Sequence, residues 1–121
     1  MENINWNDKD IIITAVRKQG YALQYASKKL RNDKDVVMTA VRQDGWAALQ
    51  YASKKLRNDK NIVIAAVQQN GMALQYASKK LCNDKDVVMT AVRQTGWALQ
   101  YASKKLRNDK NIVIAAFSNV D

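Results

Sequence analysis

Residues 83–107 read NDKDVVMTAVRQTGWALQYASKKLR, and the same string, with small changes, fills most of the 121-residue chain. Its opening Asn-Asp-Lys recurs at Asn7, Asn32, Asn58, Asn83 and Asn108, in steps of 25, 26, 25 and 25 residues. Four copies are therefore complete, at 7–31, 32–57, 58–82 and 83–107, and 108–121 is a half-repeat. Residues 1–6 read as an N-terminal cap, so that 1–121 is a single repeat domain. Self-similarity at so short a period marks stacked supersecondary units, none of which buries its apolar face alone. Copies two and four are nearly identical, and copies three and five share NDKNIVIAA, which implies duplication of a two-repeat unit. Sameness between copies is then ancestry as much as constraint, and carries little functional weight.

Each period holds two helical segments. Helix A is expected from about Asp84 to Thr95 in copy four, capped by Asn83 or Asp84, with Asp86 completing a variant capping box. The four glycines of the chain, Gly20, Gly45, Gly71 and Gly96, fall at one place in each copy. They read as left-handed helix stops, because glycine meets no Cβ penalty there. Helix B is expected to run unbroken from Trp97 or Ala98 to about Arg107. In copy two Val36, Val37, Met38, Ala40 and Val41 cover an arc of about 200° around helix A. Arcs that wide require more than one neighbour, and helices of about ten residues need packing to persist. The sequence thus predicts an all-α fold, an α-solenoid of ~25-residue helix-turn-helix repeats with four full copies plus a terminal half-repeat. A right-handed sense is expected by analogy with familiar helical repeats. A helix spacing of 8–10 Å makes the array roughly 40–45 Å long.

Two irregularities stand out. Copy two has one extra residue, Trp46-Ala47-Ala48-Leu49 against Trp97-Ala98-Leu99. The turn between helices A and B is expected to absorb it, displacing Trp46 alone, with a π-bulge in helix B as the alternative. At the ends, Ile4 and Trp6 are expected to fold over the first helix A, and Phe117 replaces the valine of the other copies. An uncovered end would favour end-to-end self-association.

The unit resembles the helical repeat family catalogued as domain of unknown function 4116. NDKDVVMTAVRQDG (32–45) and ALQYASKKLRNDK (48–60) carry the resemblance, which extends over about 7–117. It implies an all-helical repeat with no established activity and no known catalytic residues.

The net charge of +9 is unevenly placed. The helix B segments hold Lys28, Lys29, Arg31, Lys54, Lys55, Arg57, Lys79, Lys80, Lys104, Lys105 and Arg107, and no acid. The rest of the chain has slightly more acid than base. Lys28, Lys54, Lys79 and Lys104 recur once per copy on the expected exposed stripe, joined by Arg31, Arg57 and Arg107, with Cys82 breaking the row. One reading is a basic binding face for an acidic protein surface, RNA or DNA. The other is a solvated surface, in which basic residues complement helix C-termini and pair with the next Asp-Lys-Asp start. Tyr25, Tyr51, Tyr76 and Tyr101 could stack on bases, but they lie on the apolar arc and read as packing residues.

The exclusions are chemical. No histidine rules out Ser-His-Asp and Cys-His pairs and His-ligated metals, and one cysteine rules out an internal disulfide. The carboxylates sit mostly at helix starts, where capping accounts for them. Neither enzymatic activity nor a catalytic residue, cofactor or metal is expected. The start is acidic and polar rather than signal-like, and no apolar run approaches a membrane span, so a cytoplasmic, reducing setting is expected. The expected function is a non-catalytic scaffold presenting an extended surface, most readily to a protein partner; the alternative is nucleic-acid binding through the basic helix B face.

Overall fold

A computed structural model of the chain describes residues 4–118. In chain order its elements are α1 (Lys9–Lys18), η1 (Gly20–Tyr25), α2 (Lys28–Arg31), α3 (Lys34–Gln43), α4 (Gly45–Tyr51), η2 (Leu56–Asn58), α5 (Lys60–Gln69), η3 (Gly71–Tyr76), α6 (Lys79–Cys82), α7 (Lys85–Gln94), η4 (Gly96–Tyr101), α8 (Lys104–Arg107) and α9 (Lys110–Phe117), where η denotes a 3₁₀ segment. The fold is all-α and repetitive. The A helices are α1, α3, α5, α7 and α9, and each packs on the next. The segments η1, α4, η3 and η4 form a second row, each set between its own A helix, the following A helix and the neighbouring segments of its row.

The aspartate, rather than the asparagine, starts each A helix. The Asp33 carboxylate accepts the Asp35 and Val36 backbone N–H groups at 2.9 and 3.1 Å, and Asp84 accepts that of Val87 at 3.1 Å. These bonds satisfy donors that have no partner within the helix. The expected capping box does not form at Asp86, whose carboxylate instead meets Lys60 of the preceding copy. Along α3, Val36, Val37, Ala40 and Val41 are fully buried, as the wide apolar arc required.

The glycines do not work by a left-handed turn, since none has a positive φ. The helices end because Gln19, Asp44, Asn70 and Thr95 are extended, with φ of −144°, −155°, −150° and −145°. Glycine is needed next for closeness. A Cβ on Gly20 would lie 2.6 Å from the Ala40 carbonyl oxygen, and one on Gly45 would lie 2.7 Å from that of Ala66. At Gly71 and Gly96 the collision would be with the Ala91 and Ala116 carbonyls. Each glycine thus seats its copy's backbone on the A helix of the next copy.

Helix B is not continuous. It divides into a first segment and a single following turn, with Ala26, Ala52, Ala77 and Ala102 extended between them at ψ of 155° to 158°. The serine after each alanine causes the break. In a continuous helix its N–H would bond four residues back. Here the Ser27, Ser53, Ser78 and Ser103 N–H groups donate to the carbonyls of Trp6, Arg31, Arg57 and Cys82, at 2.8–3.0 Å. Each Ser Oγ also accepts the N–H of Leu30, Leu56, Leu81 or Leu106 at 3.2–3.3 Å, capping the short turn. Serine competes with the helix for backbone groups and wins at this position.

The extra residue of copy two is absorbed in helix B itself, neither by the turn nor by a π-bulge. The first segment is 3₁₀ and six residues long in copies one, three and four, but α-helical and seven residues long in copy two. Five 3₁₀ steps of about 120° and six α steps of about 100° give the same rotation, with rises of roughly 10 and 9 Å. Both ends therefore keep their register, and Leu49 is as fully buried as Leu23 and Leu74. The Trp46 ring meets that of Tyr76 in the next copy in an edge-type contact, at a centroid distance of 5.7 Å.

At the front, Trp6 lies tilted against the Tyr25 ring at 5.7 Å and its carbonyl takes the role that Arg31 has one copy later. Ile4 and Trp6 nevertheless stay exposed. Residues 1–3 of the expected cap and 119–121 of the half-repeat lie outside the described residues.

Two substitutions test this packing. Gly71→Ala is expected to lower stability by about 1–3 kcal/mol through backbone collision, read from denaturant unfolding. Deleting Ala47 should leave the far-ultraviolet circular dichroism and the cooperativity of unfolding nearly unchanged. Deleting Val37 should destroy cooperative unfolding, because it turns the rest of α3 by about 100°.

Candidate functional site

Three ladders of side-chain bonds recur along the array, two of them joining one copy to the next, and they decide which charges are left for a partner. The first joins lysine to the next copy's helix start. Lys9 Nζ lies 3.0 Å from Asp33 and 3.4 Å from Asp35, Lys34 lies 3.2 Å from Asp59, Lys60 lies 3.1 Å from Asp84 and 3.2 Å from Asp86, and Lys85 lies 3.5 Å from Asp109. The capping aspartates are thus committed twice, to backbone N–H groups and to an ammonium. Burial pushes the carboxylates of Asp33, Asp59 and Asp84 up, but the capping N–H groups and the lysine outweigh it, and each sits below the ordinary aspartate value. Asp109 is lowered first by the Ile112 N–H and then by Lys85. The side-chain bonds to these aspartates raise Lys9 and Lys60.

The second ladder repeats within each copy and joins its serine to the asparagine that opens it. The hydroxyls of Ser27, Ser53, Ser78 and Ser103 donate to Asn7, Asn32, Asn58 and Asn83 Oδ1 at 2.6–2.7 Å. The third is shorter. Gln69 Nε2 donates to the Arg42 carbonyl, and its Oε1 accepts the Gly45 N–H at 2.8 Å, tying copy three to the copy-two turn. Gln94 Nε2 then reaches the Gln69 carbonyl at 3.3 Å. None of these links was singled out from sequence. The recurrence of Asn-Asp-Lys was the available signal, but it does not say which copy each group reaches.

The basic residues of helix B stand outside all three ladders. Lys28, Lys54, Lys79 and Lys104 follow the capping serines and are exposed, as are Lys29, Lys55, Lys80 and Lys105. Arg31 and Arg57 are half-buried, each with its Nε shielded and without a hydrogen-bond partner, while Arg107 is exposed. The expected pairing of these cations with the next Asp-Lys-Asp start does not occur, because the A-helix lysines take those carboxylates. Among the described residues, no ion pair involves a helix B cation.

The remaining candidates have packing roles. Tyr51, Tyr76 and Tyr101 are half-buried against the core, whereas Tyr25 at the front is exposed. Cys82, in the arginine position, is half-buried, and its thiol points to the Leu74 carbonyl at 3.4 Å. Burial raises its pKa, so the thiol keeps its proton. Between η4 and α9 lies an open apolar groove of about 620 Å³, lined by Trp97, Leu99, Ala116, Phe117 and Arg107 among others. No helix among the described residues is long and apolar enough to cross a membrane.

Short paired helical segments in a constant register define a tandem helical-repeat protein. The chain belongs to the family described as Domain of unknown function (DUF4116), which matches residues 8–57, 47–82, 59–107 and 84–120. No curated protein and no solved structure matches it.

The double commitment of the caps has a measurable consequence. A carboxylate lowered in the folded state contributes stability above its unfolded value, near 3.8, and loses it as pH falls through the lower folded value. Stability is therefore expected to hold from neutral pH down to that region and to drop below it. Asp59→Asn keeps a good cap and removes the Lys34 pair, so its cost should be under about 1 kcal/mol. Asp59→Ala removes both and should cost about 1–2 kcal/mol, read by urea unfolding at pH 7.

Proposed function

We propose that the chain is a non-catalytic scaffold that presents an extended surface to another macromolecule, and that the partner is an acidic protein surface met by the helix B cations. One observation carries the reading: the capping aspartates Asp33, Asp59, Asp84 and Asp109 are paired with Lys9, Lys34, Lys60 and Lys85, while among the described residues no helix B lysine has a carboxylate against it. The field of those lysines is therefore directed outward, once per copy, on a backbone fixed by the inter-copy ladders. A rigid, evenly charged row favours encounter and register with a complementary surface. The committed state of Asp33, Asp59, Asp84 and Asp109 supports the non-catalytic part, since carboxylates held ionised by caps and ammonium groups are poor proton donors at neutral pH.

Nucleic acid is the second reading, and the same unpaired lysines favour it. Single-stranded binding gains much of its strength from bases stacked on aromatic rings. Tyr51, Tyr76 and Tyr101 are instead half-buried against the core, which favours the protein reading.

Salt dependence separates the two. Binding to a fluorescent single-stranded RNA, a duplex DNA and a glutamate-rich peptide should be followed from low to physiological salt. The protein reading expects the peptide to bind and the nucleic acids to be released by physiological salt. The Lys54→Glu, Lys79→Glu, Lys104→Glu triple variant should then lose the peptide. RNA or DNA binding that persists at physiological salt, with a log–log slope near −0.7 to −0.9 per phosphate and loss in the triple variant, would reverse the order of the readings.

A further inference from the structure

The exposed apolar side chains are not scattered. Of the nine large exposed hydrophobics among the described residues, Ile4, Trp6, Ile11, Tyr21 and Tyr25 lie in the cap or copy one, and Trp97, Ile114 and Phe117 lie in copy four or the half-repeat. Trp46 is the sole one between, and at 36% it is the least exposed of them. Comparison at equal register shows why. Ile11 is 38% exposed, whereas Val36, Ile62, Val87 and Ile112 at the same position are 0% exposed, each with a preceding A helix against its own. Phe117 is 67% exposed, whereas Val16, Val41, Val67 and Val92 in register are 0% or fully buried, each with a following copy. Leu99 is half-buried where Leu23, Leu49 and Leu74 are 0% exposed, and Val113 is half-buried where Val37, Val63 and Val88 are 0% exposed. The front of α1 and the back of α9 are the two halves of the contact that joins each A helix to the next.

We propose that the chain associates head to tail with a second copy of itself, the back face of Trp97, Leu99, Val113 and Phe117 receiving the front face of Ile4, Trp6 and Ile11. Three features fit this occupant. The first is continuity, because the front of α1 and the back of α9 are register equivalents of faces joined four times within the chain, at α1–α3, α3–α5, α5–α7 and α7–α9. The second is charge. Lys110 stands in register with Lys9, Lys34, Lys60 and Lys85, each of which pairs with the next copy's capping aspartate, and no described acid faces it. Asp8 stands in register with Asp33, Asp59, Asp84 and Asp109, each paired with a preceding lysine, and it caps α1 with no lysine against it. Lys110 of one chain and Asp8 of the next complete the ladder. Tail-to-tail contact would instead bring Lys110 and Arg107 of both chains together. The third is the shape of the gap. The groove between η4 and α9 is the seat that a following B segment would occupy. Trp6 stands in register with Arg31, Arg57 and Cys82 at the end of a B segment, and its carbonyl already accepts the Ser27 N–H as theirs accept the next serine's. In the second copy, Ile4 and Trp6 therefore enter beside that seat. Such an interface is heterologous and does not close, so growth continues beyond a dimer.

Sedimentation velocity of the full chain over a wide concentration range tests this. The wild type should grow in size with concentration without a fixed end point. A tail variant, Trp97→Asp with Phe117→Asp, and a head variant, Ile11→Lys, should each be monomeric while keeping wild-type circular dichroism. Their mixture should form a one-to-one dimer and stop there, since the tail variant keeps a head and the head variant keeps a tail. Lys110→Glu, at an exposed position, should weaken association by about two- to five-fold. A wild type that stays monomeric to millimolar concentration overturns the proposal. So does a head variant that still dimerises alone, which would indicate tail-to-tail pairing. Lys28, Lys54, Lys79 and Lys104 take no part in this interface, so its failure would leave the reading of the lysine row standing.

Discussion

The close seat of each glycine on the following A helix is the constraint from which the rest of the array follows. At Gly20, Gly45, Gly71 and Gly96 backbone meets backbone, with an alanine carbonyl where a Cβ would otherwise be. The partners Ala40, Ala66, Ala91 and Ala116 are almost fully buried and small, so neither side holds the other away. That approach fixes how far each copy lies from the next. Only at that spacing can a lysine near the start of one A helix reach the cap of the next, and a serine N–H reach the last carbonyl of the copy before. The ladders are consequences of the spacing; the individual ion pairs, with lysines about half exposed, contribute little each.

The same spacing explains why copy two tolerates an insertion. What the neighbouring copies require is that the segment after glycine start on one A helix and deliver a leucine and a tyrosine to the core. Two windings meet that requirement. The six-residue 3₁₀ segment reaches it in tight turns, and the seven-residue α segment of copy two reaches it with one more residue and wider turns. Insertions in the middle of an A helix have no such alternative, since their apolar arc faces neighbours on both sides.

Helix A was legible in the sequence and helix B was not, for a physical reason that particular residues show. In helix A the Asp84 cap, the Val87–Val92 apolar arc and the end before Gly96 all agree, and the element spans Lys85–Gln94. In helix B the spacing of Leu99, Ala102 and Leu106 fits a helix, and only Ser103 argues against one. Serine breaks the element because its N–H has a carbonyl in the copy before it, a partner about twenty residues away that local pattern does not register. The glycines were placed correctly and explained wrongly for a related reason. Their position is a local fact, but the atom that forbids a side chain belongs to the next copy. The candidate basic row was legible as composition; that its charges are unpaired depended on where Lys9, Lys34, Lys60 and Lys85 reach, which sequence could not place.

Charge and packing thus divide the two segments of each repeat by role. The A helix carries acids and bases in near balance, and the array uses them on itself, lysine to the next cap. The B segment carries bases alone and contributes backbone groups and a serine hydroxyl, not charge, to the array. A repeat that joined its copies through helix B lysines would have neutralised them in doing so. Because the joining falls to other residues, the positive row can change in any copy without loosening the stack. Cys82 shows this directly: the row loses a charge there, while the carbonyl of the same residue still accepts the Ser103 N–H at 2.8 Å.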